Sequence, residues 1–315
     1  MKPQNLFFRK WIGFSLVTLV LLAGCGGGGG EGSIFSNTSP EASGSGVING
    51  TATKGPVSGA TVTAFAMNTN GTKGAQIGSG QTDGQGNFSI PVGNHSGPVM
   101  VQMMGGSYID EATGSSMNMH SNDVMTCITP HMPAGSIVSG IQITPLTSMA
   151  QSMAQNISGG MNQMNITLAN NVVGKYFGVS DILTTHPMDP TINGSGTTAS
   201  QDMRNYGMTI AAMSQYAKNV GMPHSSGLVT AMMNDASDGR MDGMIADQGG
   251  MMGTHQVEMG GGMMGGTMMP ADAGTRGLAD ATAQFINSPM NRSGLTMQDM
   301  QNLISKLTAS NGVIQ

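Results

Sequence analysis

The chain is 315 residues long, and its 12 Lys and Arg stand against 17 Asp and Glu for a formal charge of −5. An acidic balance of this kind argues against nucleic-acid binding, which needs a basic face. Methionine is the outlying residue type, 32 in all, whereas cysteine occurs only at 25 and 127.

Lys2, Arg9 and Lys10 precede an apolar run from Trp11 to Leu22 that only Gly13, Ser15 and Thr18 interrupt, and the run ends in Leu22-Ala23-Gly24-Cys25. It is shorter than the roughly 18 residues a spanning helix needs, so residues 1–24 read as a secretory signal. The closing tetrapeptide resembles a bacterial lipobox. That resemblance implies a lipidated Cys25 as the first mature residue and, with Gly26 in place of Asp, an address at the cell outer membrane. Several acyl chains are implied, since one alone holds a protein only marginally. The alternative is an ordinary cleaved signal followed by a chance cysteine. Loss of the signal removes three positive charges and moves the formal balance from −5 to −8.

Residues 25–45 are rich in Gly and Ser and read as a flexible tether behind the lipid. From Gly46 short β-rich runs alternate with turn residues: Val47–Ala52, Ala60–Ala66, Asn87–Ile90 after the Thr82-Asp83-Gly84-Gln85-Gly86 turn, and Pro98–Met103. This spacing predicts a small antiparallel β-sandwich over 46–114.

Gly55-Pro56-Val57-Ser58-Gly59-Ala60-Thr61-Val62, with the Thr82-Asp83 turn and Gly86-Asn87-Phe88, resembles a carboxypeptidase regulatory-like (transthyretin-like) domain. The resemblance implies the sandwich fold and no peptidase zinc ligands, and no His-Glu-x-x-His helix is present to supply a metallopeptidase site. Because such domains are often grouped with carbohydrate-binding-like folds, a glycan partner is a further reading. Sugar faces stack on exposed rings, and of Phe65, Phe88 and Tyr108 the two phenylalanines read as core, so this reading needs Tyr108 exposed.

Gly105–Gly114 closes the predicted sandwich and, with the later Thr144-Pro145-Leu146-Thr147, is similar to segments of modular bacterial surface lipoproteins. It carries Asp110 and Glu111, whose adjacency on a strand would aim them at opposite faces and favour solvated or capping roles. An enzyme would need a pocket that gathers such groups, for example Asp110, Glu111 and His95. The following 115–144 reads as a connector crowded with soft or borderline donors: Met117, Met119, His120, Met125, Cys127, His131 and Met132. With Cys25 acylated, Cys127 has no internal disulfide partner, leaving burial, pairing with another chain, or soft-metal ligation.

After Pro145 the apolar period changes from two to about 3.6. Leu146, Met149, Ala150 and Met153 share a face, as do Leu168, Val172, Tyr176 and Phe177, then Met203, Tyr206, Ile210, Met213 and Ala217. Breaks fall at Gly159-Gly160, Pro187 to Gly196 and Gly221-Met222-Pro223. From Asn234 the chain partly fits a calcium loop, with Asp238, Gly239 and Asp242 in place, but Ala236 and Ile245 stand where carboxylates are wanted. A Met/Gly-rich loop over 249–274 follows, holding Met251, Met252, His255, Met259, Met263, Met264, Met268 and Met269. Thioether and imidazole donors suit Cu(I) or Ag(I), although methionine also serves as an adaptable core filler. Helical pattern returns with Leu278, Ala281, Phe285 and Ile286, and again with Met300, Leu303, Ile304 and Leu307 behind Thr296 to Asp299.

The fold class expected is therefore α+β by separate regions, a small antiparallel sandwich followed by an all-α region over 145–315. The function expected is a non-catalytic envelope lipoprotein that binds or scaffolds, its partners being the membrane through its lipid and a protein or glycan. Cu(I) is the candidate cofactor, and no catalytic triad, phosphate loop or dinucleotide fingerprint appears.

Overall fold

The computed structural model describes residues 45–120, 122–246, 254–259 and 267–315. The signal, Cys25 and the tether before residue 45 lie outside the described residues, as do Met251, Met252, Met263 and Met264.

Two sheets form the N-terminal half. One holds β1 (Gly46–Ala52), β4 (Asn87–Gly93) and β9 (Ile137–Ile143) in the order β4-β1-β9. The other holds β2 (Thr61–Met67), β3 (Lys73–Gln81), β5 (Gly97–Met104) and β8 (Val124–Met132) in the order β3-β2-β5-β8. Alternating residues make the shared core: Ile48, Phe88 and Ile90 from the first sheet meet Val62, Val101, Met103 and Cys127 from the second. Burying one residue in two along each strand is what the period-two pattern demands.

The sandwich extends past the expected boundary at 114, because the stretch read as a connector supplies β8 and β9. A hairpin of β6 (Ser107–Ile109) and β7 (Ser116–Asn118) leads into them. It is also not wholly antiparallel, since β9 runs parallel to β1 with Ala52 beside Ile143.

The helices cover the outer face of the four-stranded sheet, giving three layers. They are α1 (Pro145–Asn156), α2 (Gln163–Phe177), α3 (Gln201–Asn219), α4 (Ser225–Asp235), α5 (Arg276–Ile286) and α6 (Met297–Ala309). Met100 and Ile128 turn from the sheet into the helical core, joining Leu146, Met149, Phe177 and Tyr206. Strand β8 is thus buried on both faces. Two short hairpins break the helical region, β10 (Met244–Ala246) with β11 (Thr254–Gln256) and β12 (Glu258–Met259) with β13 (Thr267–Met268).

The start of α1 explains the Thr144-Pro145-Leu146-Thr147 segment. Thr144 and Thr147 form a reciprocal capping box with Pro145 at the first helical position. Ser148 Oγ accepts the Thr126 N–H at 2.8 Å, and Thr147 Oγ1 donates to the Thr126 carbonyl at 2.9 Å. The outer edge of β8, which would otherwise invite pairing, is therefore closed by helix side chains. In α2 the buried face is Ile166, Ala169, Val173, Tyr176 and Phe177, and Leu168 is exposed rather than part of it.

Candidate functional site

The expected soft-metal residues do not converge among the described residues. Cys127 and Met132 point into the sandwich core and Met119 is buried beside them, whereas His120 and His131 are exposed. A bulge between β5 and β8 near Gly97 and Val99 separates the register of Cys127 from that of Met132. Met117 only flanks that core, Met259 and Met269 are buried in the helical core, and His255 and Met268 are exposed. Buried thioethers here replace leucine, as core filling allows. No group of three His, Cys, Asp or Glu arranged to hold a metal occurs among the described residues. The calcium-loop reading fares similarly: Asp238 accepts the Arg240 N–H and Asp242 the Met244 N–H, closing local turns.

The aromatic rings are also committed. Phe88 is core, Phe65 is half-buried under Lys73, and Tyr108 is buried. The glycan reading, which needs Tyr108 exposed, loses its platform.

What the fold does assemble is a polar cluster between the sandwich and the helices. Lys54, in the turn after β1, is 0 % exposed, and Asp110 and Glu111 are 1 % and 3 % exposed. The two carboxylates follow β6 outside any strand, and both approach the same Lys54 ammonium instead of pointing to opposite faces. Lys54 Nζ donates to Glu111 Oε2 at 2.9 Å and to Ser214 Oγ of α3, while Asp110 Oδ2 lies 3.9 Å from Nζ. Ser214 in turn donates to Glu111 Oε2 at 2.5 Å, and the Gly55 N–H donates to Glu111 Oε1 at 2.6 Å. Gly55 is required there: its φ is +62° and a Cβ would fall 2.3 Å from the Ile109 carbonyl oxygen.

A second chain of donors reaches Asp110 from α4. The Ser226 N–H donates to Tyr108 Oη at 3.2 Å, Tyr108 Oη meets Ser225 Oγ at 3.1 Å, and Ser225 Oγ donates to Asp110 Oδ2 at 2.6 Å. Because the serine proton points at Asp110, the phenol is the donor to Ser225. Asp110 Oδ1 accepts from the Ala112 and Thr113 N–H groups at 3.2 and 3.0 Å and from Thr113 Oγ1 at 2.9 Å. Burial opposes charge on both partners, but Glu111 and Asp110 hold the Lys54 ammonium above the ordinary lysine value. Burial likewise pushes Asp110 up, and Lys54 with the hydroxyls outweighs it, leaving the carboxyl below its usual range.

Beside this cluster a cleft of about 220 Å³ opens between the turn after β1 and the 186–192 segment. Thr51, Thr53 and Asn87 offer polar groups from the sandwich, and Pro190 and Ile192 form an apolar wall opposite, with Glu111 among the lining. Gly207 of α3 allows this wall to sit close, since a Cβ there would lie 1.8 Å from the Met188 carbonyl oxygen. His186 stands at the mouth, with Nδ1 3.3 Å from Gln142 Oε1 and 3.4 Å from Thr51 Oγ1. Partial burial depresses its pKa, against a weaker pull from Asp189. Of the trio that an enzyme would need, Asp110 and Glu111 do meet, but His95 contacts the Pro98 carbonyl in the turn between β4 and β5.

Lys54 is not marked by any sequence pattern. A lone lysine in a Gly-Pro turn carries no signal until its partners, 56 and 57 residues away, are placed. The Gly105–Gly114 segment was the visible half of this arrangement. No family model matches the chain, and no curated protein matches it.

Proposed function

We propose that the chain is a non-catalytic envelope lipoprotein, anchored through Cys25, that binds or scaffolds a partner at the cleft between sandwich and helices. The lipobox-like segment and the tether support the anchor, and the seven-stranded sandwich supports the carboxypeptidase regulatory-like resemblance. One observation carries the non-catalytic reading. In the Lys54–Ser214–Glu111 constellation, which has the residue types of a nucleophile and base, the nucleophiles Lys54 and Ser214 are buried and partnered by the protein itself, while Glu111 reaches the cleft lining. A nucleophile that substrate cannot reach does no chemistry on a substrate.

The cleft is open, carries polar groups on one wall and apolar groups on the other, and lies at a junction of two structural layers, where binding sites concentrate. A photo-crosslinking residue placed at Ile192, 57 % exposed on the cleft, is expected to yield adducts in intact cells that the same residue at Met164, 79 % exposed on α2, does not. Equal labelling at both positions, or ester or peptide turnover abolished by Ser214→Ala, overturns the proposal.

A further inference from the structure

The buried cluster has a feature that a simple ion pair does not use. Asp110 Oδ1 sits in a nest of two backbone N–H groups and a hydroxyl, an arrangement that stabilises negative charge on a carbonyl oxygen. Asp110 Oδ2, the other oxygen, is held by the Ser225 hydroxyl and lies 3.9 Å from Lys54 Nζ, too far to share a hydrogen bond. Nζ is instead engaged by Glu111 Oε2 at 2.9 Å, a carboxylate poised to take its proton. All three side chains are buried.

We propose that Lys54 and Asp110 condense into an intramolecular amide, with Glu111 carrying the protons. The Glu111 carboxylate takes a proton from the Lys54 ammonium, freeing the nitrogen lone pair. The amine attacks Asp110 Cγ, a C–N bond forms, and the negative charge that develops on Oδ1 is held by the Ala112 and Thr113 donors. Glu111 passes its proton to Oδ2, then removes a second one from nitrogen and delivers it to the same oxygen. The Cγ–Oδ2 bond breaks and one water leaves. Glu111 ends as the carboxylate it began as, and no oxidant, reductant or co-reactant is consumed.

Three physical arguments favour the product. The reacting groups are held in place by the fold, so the reaction is effectively unimolecular. An ammonium and a carboxylate are costly to bury, and the amide removes that pair while the Glu111 carboxylate that stays behind keeps the Ser214 hydroxyl and the Gly55 N–H as donors. Finally, a site closed to solvent offers little water for the reverse hydrolysis. The bond would tie the turn after β1 to the segment after β6.

The test is a protease digest of the full chain purified from membranes, followed by tandem mass spectrometry. A branched peptide joining the Lys54 and Asp110 segments, one water lighter than the sum of its parts, is expected. It should be replaced by two linear peptides in Lys54→Met and, with the charge carrier removed and the volume kept, in Glu111→Gln. The wild-type digest decides the matter even if a variant fails to fold. Linear peptides alone from the wild type overturn the proposal, and fragment ions placing the branch on Glu111 overturn the assignment of Asp110 as the acceptor.

Discussion

The phenol of Tyr206 lies 2.6 Å from Thr144 Oγ1, so a residue in the first half of α3 completes the N-terminal cap of α1. Tyr206 also donates to the Ile182 carbonyl at 2.9 Å and is fully buried. One hydroxyl thus joins the end of the sandwich, the first helix and the segment leading into the cleft wall. Tyr206→Phe keeps the ring and removes only these bonds. It is expected to cost about 1–2 kcal/mol in urea unfolding, the value of a buried hydrogen bond whose partner is left unsatisfied. A change within experimental error would show that Thr144 is satisfied by Thr147 alone.

Removing one member of the Lys54 cluster has a larger effect. With Glu111→Ala, Lys54 keeps Ser214 and the more distant Asp110, and the Gly55 N–H loses its acceptor. Breaking a buried pair from one side costs roughly 3–5 kcal/mol, because the remaining charge stays buried without its closest partner. Loss of cooperative unfolding at room temperature, or a midpoint shift of that size, is expected. A surface-like cost of a few tenths would mean that water reaches the cluster.

Much of this architecture is legible from the residues, and the failures have identifiable causes. Strands β1, β2, β4 and β5 announce themselves by alternation and by turns such as Thr82 to Gly86, whereas β3, a largely exposed edge strand rich in Gly and Gln, does not. Strand β8 does not, because the layer of helices buries its second face and Val124 to Thr129 then shows no period-two contrast. Its methionines and Cys127 were conspicuous as donors for the same reason that they pack well: they are soft and apolar. In α2, Leu168 looks like a core residue by type, yet the buried stripe passes through Ala169 and Val173 instead. Asp110 and Glu111 lie beyond the end of β6, where strand alternation no longer separates neighbouring side chains. Contacts such as Lys54 with Glu111 depend on how two regions dock, which local pattern does not encode.

Cys127 provides a direct check on the packing of β8. Burial pushes its thiol well above the ordinary cysteine value, and it lies in the sandwich core opposite Val101. The native protein is therefore expected to resist a thiol reagent at neutral pH and to react fully in denaturing urea. Cys127→Ala should cost about 1–3 kcal/mol through the lost volume. Rapid labelling of the native chain would contradict the placement of β8 in the core.

Asp235, the last residue of α4, makes stability depend on pH in an unusual direction. Its Oδ1 accepts the Asp242 and Gly243 N–H groups at 3.1 and 2.7 Å, fastening the turn that leads into β10, while Oδ2 is buried with no hydrogen-bond partner among the described residues. Burial raises its pKa to about 7, the two N–H groups opposing and the Asp242 and Asp238 charges adding. In the unfolded chain the same group titrates near an ordinary aspartate, about 4. Between those values the native state holds a proton that the unfolded state has released, so stability falls as pH rises from about 4 to about 7 and then levels. The cost of ionising this carboxyl across that window is on the order of 4 kcal/mol if no other group responds. Asp110 as a free carboxylate, with its folded pKa lowered, acts oppositely and loses its contribution on acidification. The informative quantity is therefore the difference between wild type and Asp235→Asn, whose amide oxygen can still accept both N–H groups. Urea midpoints measured across this range should show the variant gaining on the wild type as pH rises. Parallel curves would mean that Asp235 ionises freely in the folded protein and that the turn before β10 is open to solvent.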